Sequence, residues 1–450
     1  MPGPVKGVRR CVVSCVLEEV FSEMDAATAL RPLIRSLFHG APPVRFEFWD
    51  GSAMGPSATP ATIRVRSPRA LRRLATAPGE LGMARAYVAG DVDLEGDLEA
   101  ILALSDLVPD LGMGPATWWT VLRAGATTGA LFTGRVPSPP EEVRLRGRLH
   151  SKARDAAAIA HHYDVSNDFY RLVLGPTMTY SCAYFASPEG ALEQAQDDKH
   201  ELICHKLGLR AGERLLDVGC GWGTLGIHAA KHHGAEVVGV TLSRPQAELA
   251  AKRAVEAGVA DRVTVRVQDE RDVDDRPYDA VASVGMFEHV GAARLQEYFA
   301  HLHALLRPRG RLLNHGISRP PGRQARFSRR GFLDRYVFPD GELHEAGKVV
   351  SVVQDSGFEV RDLENLREHY ALTLRRWVVN LEANEEQAVA LVGEGRYRVW
   401  RLYMAGSARN FERGQIHVHQ ILAVRSDTGV SGLPLRRGYA VLPESASTST

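Results

Sequence analysis

The chain has 450 residues, of which 44% are hydrophobic and 24% charged, and its formal net charge at pH 7 is +1. That length allows two domains, or one large domain with an added module. The near-neutral balance argues against non-specific attraction to nucleic acid, so no nucleic-acid partner is expected. No run of about eighteen apolar residues occurs, so no membrane-spanning helix is expected.

In chain order, Arg9 and Arg10 precede a short apolar run, Cys11 to Leu17. Glu18 and Glu19 end it too early for a secretory signal, and Met24 offers an alternative start. Residues 1–140 read as a small α+β module. Val44 to Phe48 and Thr62 to Val65 alternate like half-buried strands, and an apolar helix follows Gly90 to Leu94. The stretch Leu107 to Val136 carries Trp118, Trp119 and Phe132 but is interrupted by Asp110, Arg123 and Arg135. It reads as a packed helix ahead of an interfacial membrane contact. A proline-rich linker, Val136 to Pro140, closes the module, and residues 141–200 form a connecting segment.

From 201 to 426 the pattern becomes strand–helix alternation. Strands are expected at Arg214 to Val218, Glu236 to Val240, Arg262 to Val267, Asp279 to Val284 and Arg311 to His315. Helices fall between them, at Trp222 to His233, Arg244 to Ala257 and Gln296 to Leu306. Such alternation predicts an α/β fold with a doubly wound parallel sheet and ligands at the carboxyl ends of the strands. Helices near 346–356, 368–390 and 394–412 and a closing strand, Ile416 to Val424, complete the domain. Residues 427–450 read as a flexible tail. The five cysteines, Cys11, Cys15, Cys182, Cys204 and Cys220, lack metal-ligand spacing and read as reduced thiols of a cytoplasmic protein, with no metal site expected.

The strongest local signal is the turn after the first of these strands, Asp217-Val-Gly219-Cys-Gly221-Trp-Gly223. Glycines there let the backbone turn tightly and approach a ligand. A dinucleotide loop is the rival reading, but its third glycine would fall one position later. Asp217, just ahead of the first glycine, suits the sulfonium–ammonium end of S-adenosylmethionine better than a pyrophosphate. The second strand lacks a terminal carboxylate for ribose. It ends at Thr241, and Gln246, one turn into the next helix, is the candidate to bind the hydroxyls, with an exposed helix glutamine as the plainer reading. Gln268 and Asp269, after the third strand, lie where an adenine is expected.

Several stretches in order carry a resemblance. They are His162-Tyr163-Asp164-Val-Ser-Asn-Asp168-Phe-Tyr170, Met178-Thr-Tyr180-Ser181-Cys182-Ala-Tyr184-Phe185, the glycine loop, and Ser283-Val-Gly-Met286-Phe-Glu288-His289-Val-Gly291. Arg335-Tyr336-Val-Phe338-Pro339 and Tyr370 to Trp377 follow. Together these resemble the cyclopropane-fatty-acyl-phospholipid synthase family, which includes the mycolic acid cyclopropane synthases, over residues 150 to 425. The resemblance implies a class I S-adenosylmethionine-dependent methyltransferase with a small α+β amino-terminal domain. It implies action on the double bond of an unsaturated phospholipid acyl chain, in the cytoplasm and at the membrane surface. Tyr163, Tyr180 and Ser181 would close over the cofactor. Cys182 and Ile317 through their backbone, and Glu288, His315 and Tyr370 through their side chains, correspond to the group that holds a bicarbonate ion beside the reacting carbon.

The chemistry is consistent with that set. An alkene is a weak nucleophile and its alkylation leaves a carbocation, so the site must be dry and free of competing nucleophiles. A weakly nucleophilic oxyanion is a suitable base, and the faces of Tyr180, Tyr370 and Phe338 can stabilise the cation. Taken singly, Cys182 and His315 read as core residues, Glu288 as a helix-end anion and Tyr370 as packing. Relatives often carry threonine where Gly316 stands, and that smaller residue is expected to reshape the pocket.

Proton loss with ring closure gives a cyclopropane. Loss without closure gives a methylene branch, which a flavin- or NADPH-dependent reductase partner would convert to methyl. The Arg335 to Leu343 and Glu364 to Tyr370 stretches look closest to members linked to 10-methylstearate, giving the branched product the edge. Arg319, Arg323, Arg326, Arg329 and Arg330 form either a phosphate-binding cluster or a solvated basic loop. A small-molecule O- or N-methyltransferase and a non-catalytic cofactor-binding subunit are the rival functions. The oligomeric state, a homo-oligomer included, is left open.

Overall fold

A computed structural model describes residues 25–436, apart from 39, 78, 108–114, 129–135, 144, 146, 164 and 323–330. Cys11, Cys15, Asp110, Phe132, Arg135 and the arginines at 323, 326, 329 and 330 therefore lie outside the described residues. The chain divides into two compact units.

The first unit comprises residues 1–142, 330–332 and 394–399. Its sheet runs β2 (Ala53–Met54), β1 (Arg45–Phe48), β3 (Ala61–Val65), β4 (Val92–Gly96). β1 and β3 are parallel and the outer pairings antiparallel. Helix α1 (Ala26–Leu37) begins where the Asp25 carboxylate accepts a hydrogen bond from the Thr28 amide. Its Leu30, Leu33 and Ile34 pack with Phe48, Leu71 and Val121. α2 (Arg69–Thr76) contributes Arg73, whose buried guanidinium meets Asp91 at 2.6 Å. α3 (Glu80–Val88), α4 (Leu98–Leu107) and α5 (Pro115–Thr127) complete the unit's helices among the described residues. Residues 394–399 belong here because Arg398 pairs with Asp93 at 2.6 Å and donates to the Tyr87 and Val92 carbonyls.

In the second unit, α6 (Lys152–Tyr163), α7 (Asn167–Leu174) and α8 (Leu192–Leu207) precede the sheet. The strands are β5 (Arg214–Val218), β6 (Glu236–Thr241), β7 (Val263–Val267), β8 (Tyr278–Val284), β9 (Leu306–Arg319), β11 (Glu359–Asn365) and β12 (His417–Val424). They are ordered β11-β12-β9-β8-β5-β6-β7, and β10 (His344–Glu345) pairs with β9 off that path. Crossovers through α9 (Thr224–His233), α10 (Arg244–Glu256) and α11 (Leu295–Leu305) keep β5 to β9 parallel.

The expectation of a wholly parallel sheet is corrected at one edge. β12 runs antiparallel to β9 on one side and to β11 on the other. β11 follows α13 (Ala346–Asp355) and was not anticipated, because its Glu359, Asp362 and Glu364 break the apolar pattern of a buried strand. β9 is also longer than its apolar segment, 14 residues from Leu306 to Arg319. The expected helix over 368–390 is two helices, α14 (Arg367–Ala383) and α15 (Glu385–Val392), broken at Asn384. α12 (Phe332–Tyr336) and α16 (Glu394–Glu412) are the remaining helices among the described residues. The sheet is buried on both faces, with Leu216, Val218, Val281 and Leu312 packing one side and Leu215, Val237, Ala280 and Leu313 the other. Its polar chemistry is thereby confined to the strand ends.

Candidate active site

At the carboxyl ends of β5, β6, β8 and β9 a cavity of about 530 Å³ opens in the second unit. β5 ends at Val218, and the chain turns through Gly219, Gly221 and Gly223 with φ of +73°, +53° and +76°. A Cβ on Gly219 would lie 2.2 Å from Met286 Sδ, so that approach requires glycine. The Gly219 and Cys220 amides both donate to the Val240 carbonyl at 3.0 Å, which ties the loop to the end of β6. Gly223 has a different task. It does not line the cavity, and its Cβ would meet Ala250 at 2.9 Å, so it serves the packing of α9 against α10.

Thr241 and Gln246 are both buried at the cavity wall, and the Thr241 hydroxyl donates to Gln246 Oε1 at 2.8 Å. The exposed-glutamine reading of Gln246 is thus set aside. Gln268 lines the cavity, whereas the Asp269 carboxylate turns away to grip Arg271 at 2.6 Å. Its neighbours Glu270 and Arg271 line the wall in its place. Tyr180 and Ser181 line the cavity, and the Tyr180 hydroxyl lies 3.1 Å from both Tyr403 OH and His162 Nε2. Tyr163 ends α6, and its side chain is outside the described residues.

Deeper in, Glu288 sits on a single 3-10 turn after β8 and His315 near the end of β9. Glu288 Oε1 accepts a 2.6 Å hydrogen bond from the Ile317 amide. Its Oε2 and both ring nitrogens of His315 are buried without a hydrogen-bond partner. Leaving such groups unpaired costs about 1–3 kcal/mol each, so a triad of them in one cavity is an arrangement for a polar ligand. Burial pushes Glu288 up to about 7, with the Ile317 amide pulling it back. Burial pushes His315 down to about 3, helped by the charges of Lys199 and Lys206. At neutral pH the imidazole is therefore uncharged, and the carboxyl exchanges a proton readily with whatever it faces. Tyr370 closes the same cavity, its ring 4.7 Å from that of Phe411. Cys182 was expected to act through its backbone, not its thiol. It is buried but not a lining residue, and its thiol, held protonated by burial, turns to the Ala183 and Leu366 carbonyls at 3.2 and 3.7 Å.

The family described as mycolic acid cyclopropane synthetase matches residues 150–421, which span the whole of this cavity. The chain belongs to that family. It is 45% identical over 409 residues to a probable fatty acid methyltransferase of Mycobacterium tuberculosis, covering 88% of this chain and 95% of the relative. A probable fatty acid methyltransferase of Pseudomonas putida is 43% identical over 405 residues, covering 88% and 94%. Among solved structures, a mycolic acid cyclopropane synthase complexed with SAH and CTAB superposes with a TM-score of 0.57 at 37% identity. That alignment covers 60% of this chain and 98% of the other. This mycolic acid cyclopropane synthetase relative is accordingly an S-adenosylmethionine-dependent methyltransferase of class I fold.

Residues that sequence reasoning passed over complete the wall of this family member's cavity. Lys199 and His200 on α8 line it and are almost wholly buried. Burial holds Lys199 down to about 8 and Asp217 up to about 7, the charge of each opposing its partner's shift. A signal existed: Ala195, Lys199, Leu202 and Lys206 share one helical stripe, so two lysines stand on a buried face. Gly316, expected to reshape the pocket, lines the cavity with the Phe287 ring packed against it. The Phe287 ring fills the vacated space, and a Cβ at 316 would lie 2.0 Å from it. Of the arginines after β9, Arg319 is described and is paired with Glu345 at 2.9 Å.

Proposed function

We propose that this enzyme alkylates the carbon–carbon double bond of an unsaturated fatty acyl chain carried on a phospholipid, giving a methylene-branched product. The observation that carries the reading is the buried, unpartnered set of Glu288 Oε2 and both His315 nitrogens in a cavity also lined by Phe338, Leu374, Phe411 and Val418. An O- or N-methyltransferase needs a polar acceptor, whereas Phe338, Leu374, Phe411 and Val418 form an apolar stretch of wall suited to an acyl chain.

The fit to S-adenosylmethionine rests on the close backbone approach at Gly219 and on Asp217, whose buried Oδ2 lacks a hydrogen-bond partner. Bound there, the cofactor supplies an electrophilic methyl group, and ionised Asp217 offsets its positive end. A small oxyanion such as bicarbonate fits the unpaired Glu288 and His315 atoms and supplies a base that is not itself readily alkylated. Neutral Glu288 donates through Oε2 and neutral His315 through one ring nitrogen. The Ile317 amide is already held by Glu288, so it orients the carboxyl. Charge developing on the acyl chain faces the rings of Tyr180, Phe338 and Tyr370. Relatives named as fatty acid methyltransferases at 45% and 43% identity support the acyl substrate. A 34% identical tuberculostearic acid methyltransferase of Mycobacterium tuberculosis supports the branched outcome, with a reductase completing the methyl.

The test is incubation of the purified protein with S-adenosylmethionine and unsaturated phospholipid vesicles, with mass spectrometry of the released fatty acids. A gain of one CH2 unit that takes up hydrogen on catalytic hydrogenation supports the reading. No gain with cofactor demonstrably bound overturns it.

A further inference from the structure

A second cluster of chemistry lies between α8 and α9, just behind the cavity wall, where the His228 ring stands 5.7 Å from that of His200. Glu201, one residue on from His200, points instead towards α9. His205 Nε2, one helical turn along, lies 2.7 Å from Glu201 Oε1. From α9, His228 Nε2 and His233 Nε2 lie 2.8 and 3.0 Å from Glu201 Oε2. Three imidazoles from two helices thus converge on one carboxylate, each through the same ring atom.

We propose that Glu201, His205 and His233 bind a divalent transition-metal ion of the zinc class, with His228 beside them as a hydrogen-bond partner of the Glu201 carboxylate. The ligand atoms of these three residues all lie within 4.8 Å of one another. Donors around a tetrahedral zinc with bonds of about 2.0–2.1 Å stand about 3.3 Å apart, so side-chain rotation that draws these atoms together admits the ion. The donor set is one carboxylate and neutral imidazoles, the chemistry that suits zinc, nickel or cobalt rather than magnesium or calcium. Access is open, because the His205 side chain is 45% exposed while those of His228 and His233 are each 13% exposed. The spacing carries no sequence signature, since Glu201 and His205 stand on one helix and His228 and His233 on the next.

The consequence is mechanical. α8 carries Lys199 and His200 into the cavity, and α9 opens at the glycine turn. An ion between the two helices would clamp together two pieces of the cofactor wall.

The test uses the full chain with any histidine tag removed, titrated with zinc against a chromophoric chelator and followed by thermal unfolding. One equivalent is expected to bind with a dissociation constant below about 1 µM and to raise the melting temperature. H205A and H233A are each expected to weaken binding at least about tenfold and to abolish the thermal shift, while H232A, an exposed neighbour outside the donor set, changes neither. His205 is largely exposed, so H205A tests the site without disturbing the core. Absence of stoichiometric zinc, or zinc held equally well by H205A and H233A, overturns the proposal and leaves a hydrogen-bonded clasp between helices.

Discussion

The two halves of the cavity are built on opposite plans. At the ends of β5 and β6 the wall is shaped by the glycine turn, whose Gly219 and Cys220 amides, like the Thr241–Gln246 pair, are satisfied within the protein, and Asp217 alone on β5 keeps a buried atom unpaired. At the ends of β8 and β9 the wall is made of side chains, and Glu288 and His315 are left with buried atoms unpaired. A preformed cradle fits a ligand that is the same in every turnover. Unpaired polar groups instead hold their bonding capacity for the reacting complex, at a cost in stability that the sheet beneath absorbs.

This contrast can be broken by substitution. The largest effect is expected in the side-chain half: H315A or E288Q should lower kcat by about 10²–10⁴ while the dissociation constant for S-adenosylmethionine stays within about twofold. Loss of cofactor binding in either variant would dissolve the distinction. In the backbone half G219A should do the reverse and weaken cofactor binding by at least about tenfold, because its Cβ meets Met286 at 2.2 Å. Calorimetric titration measures both.

Asp217 sharpens the comparison with pH. Its carboxyl, raised to about 7 by burial, carries a proton below that pH and attracts the cationic cofactor less. Affinity is expected to fall as pH drops from 8 to 6, by up to about tenfold per unit below the pKa, and D217N should flatten the profile. The sign for stability is opposite. A carboxyl whose folded pKa is raised stabilises the fold relatively at acid pH, and that advantage is lost as pH rises from its ordinary value of 3.8 through about 7. The smallest expected effect is steric. G316T should destabilise the protein by about 1–3 kcal/mol through collision with Phe287, and F287L in the same chain should recover part of that loss in thermal unfolding.

What could be read from sequence follows the same division. The glycine turn, β5 to β8 and their helices were legible because each strand is a short apolar run and each turn has its own residue chemistry. α16 over Glu394–Glu412 was legible from its periodicity. The antiparallel edge was not, because nothing in the residues of β12 reports its direction, and β11 is too acidic to read as a strand. In the candidate site, Glu288, His315 and Tyr370, which line one cavity, were singled out through an ordered resemblance, each being unremarkable alone. Asp269 was placed one residue early, since an Asp–Arg pair two positions apart closes on itself and hands the wall to Glu270 and Arg271. Lys199 went unread because its helix was treated as a connection.

The antiparallel edge has a consequence for the order of events in the cell. β9, which carries His315 and Ile317, is paired along its outer side by β12, and the register sets His315 against Gln420. β12 is synthesised about a hundred residues after the strand it covers. Until it emerges from the ribosome, β9 presents an open edge of unpaired amides and carbonyls, and Glu288 is tied to an unfinished strand. A chain cut short ahead of His417 lacks β12 and leaves that edge of β9 uncovered.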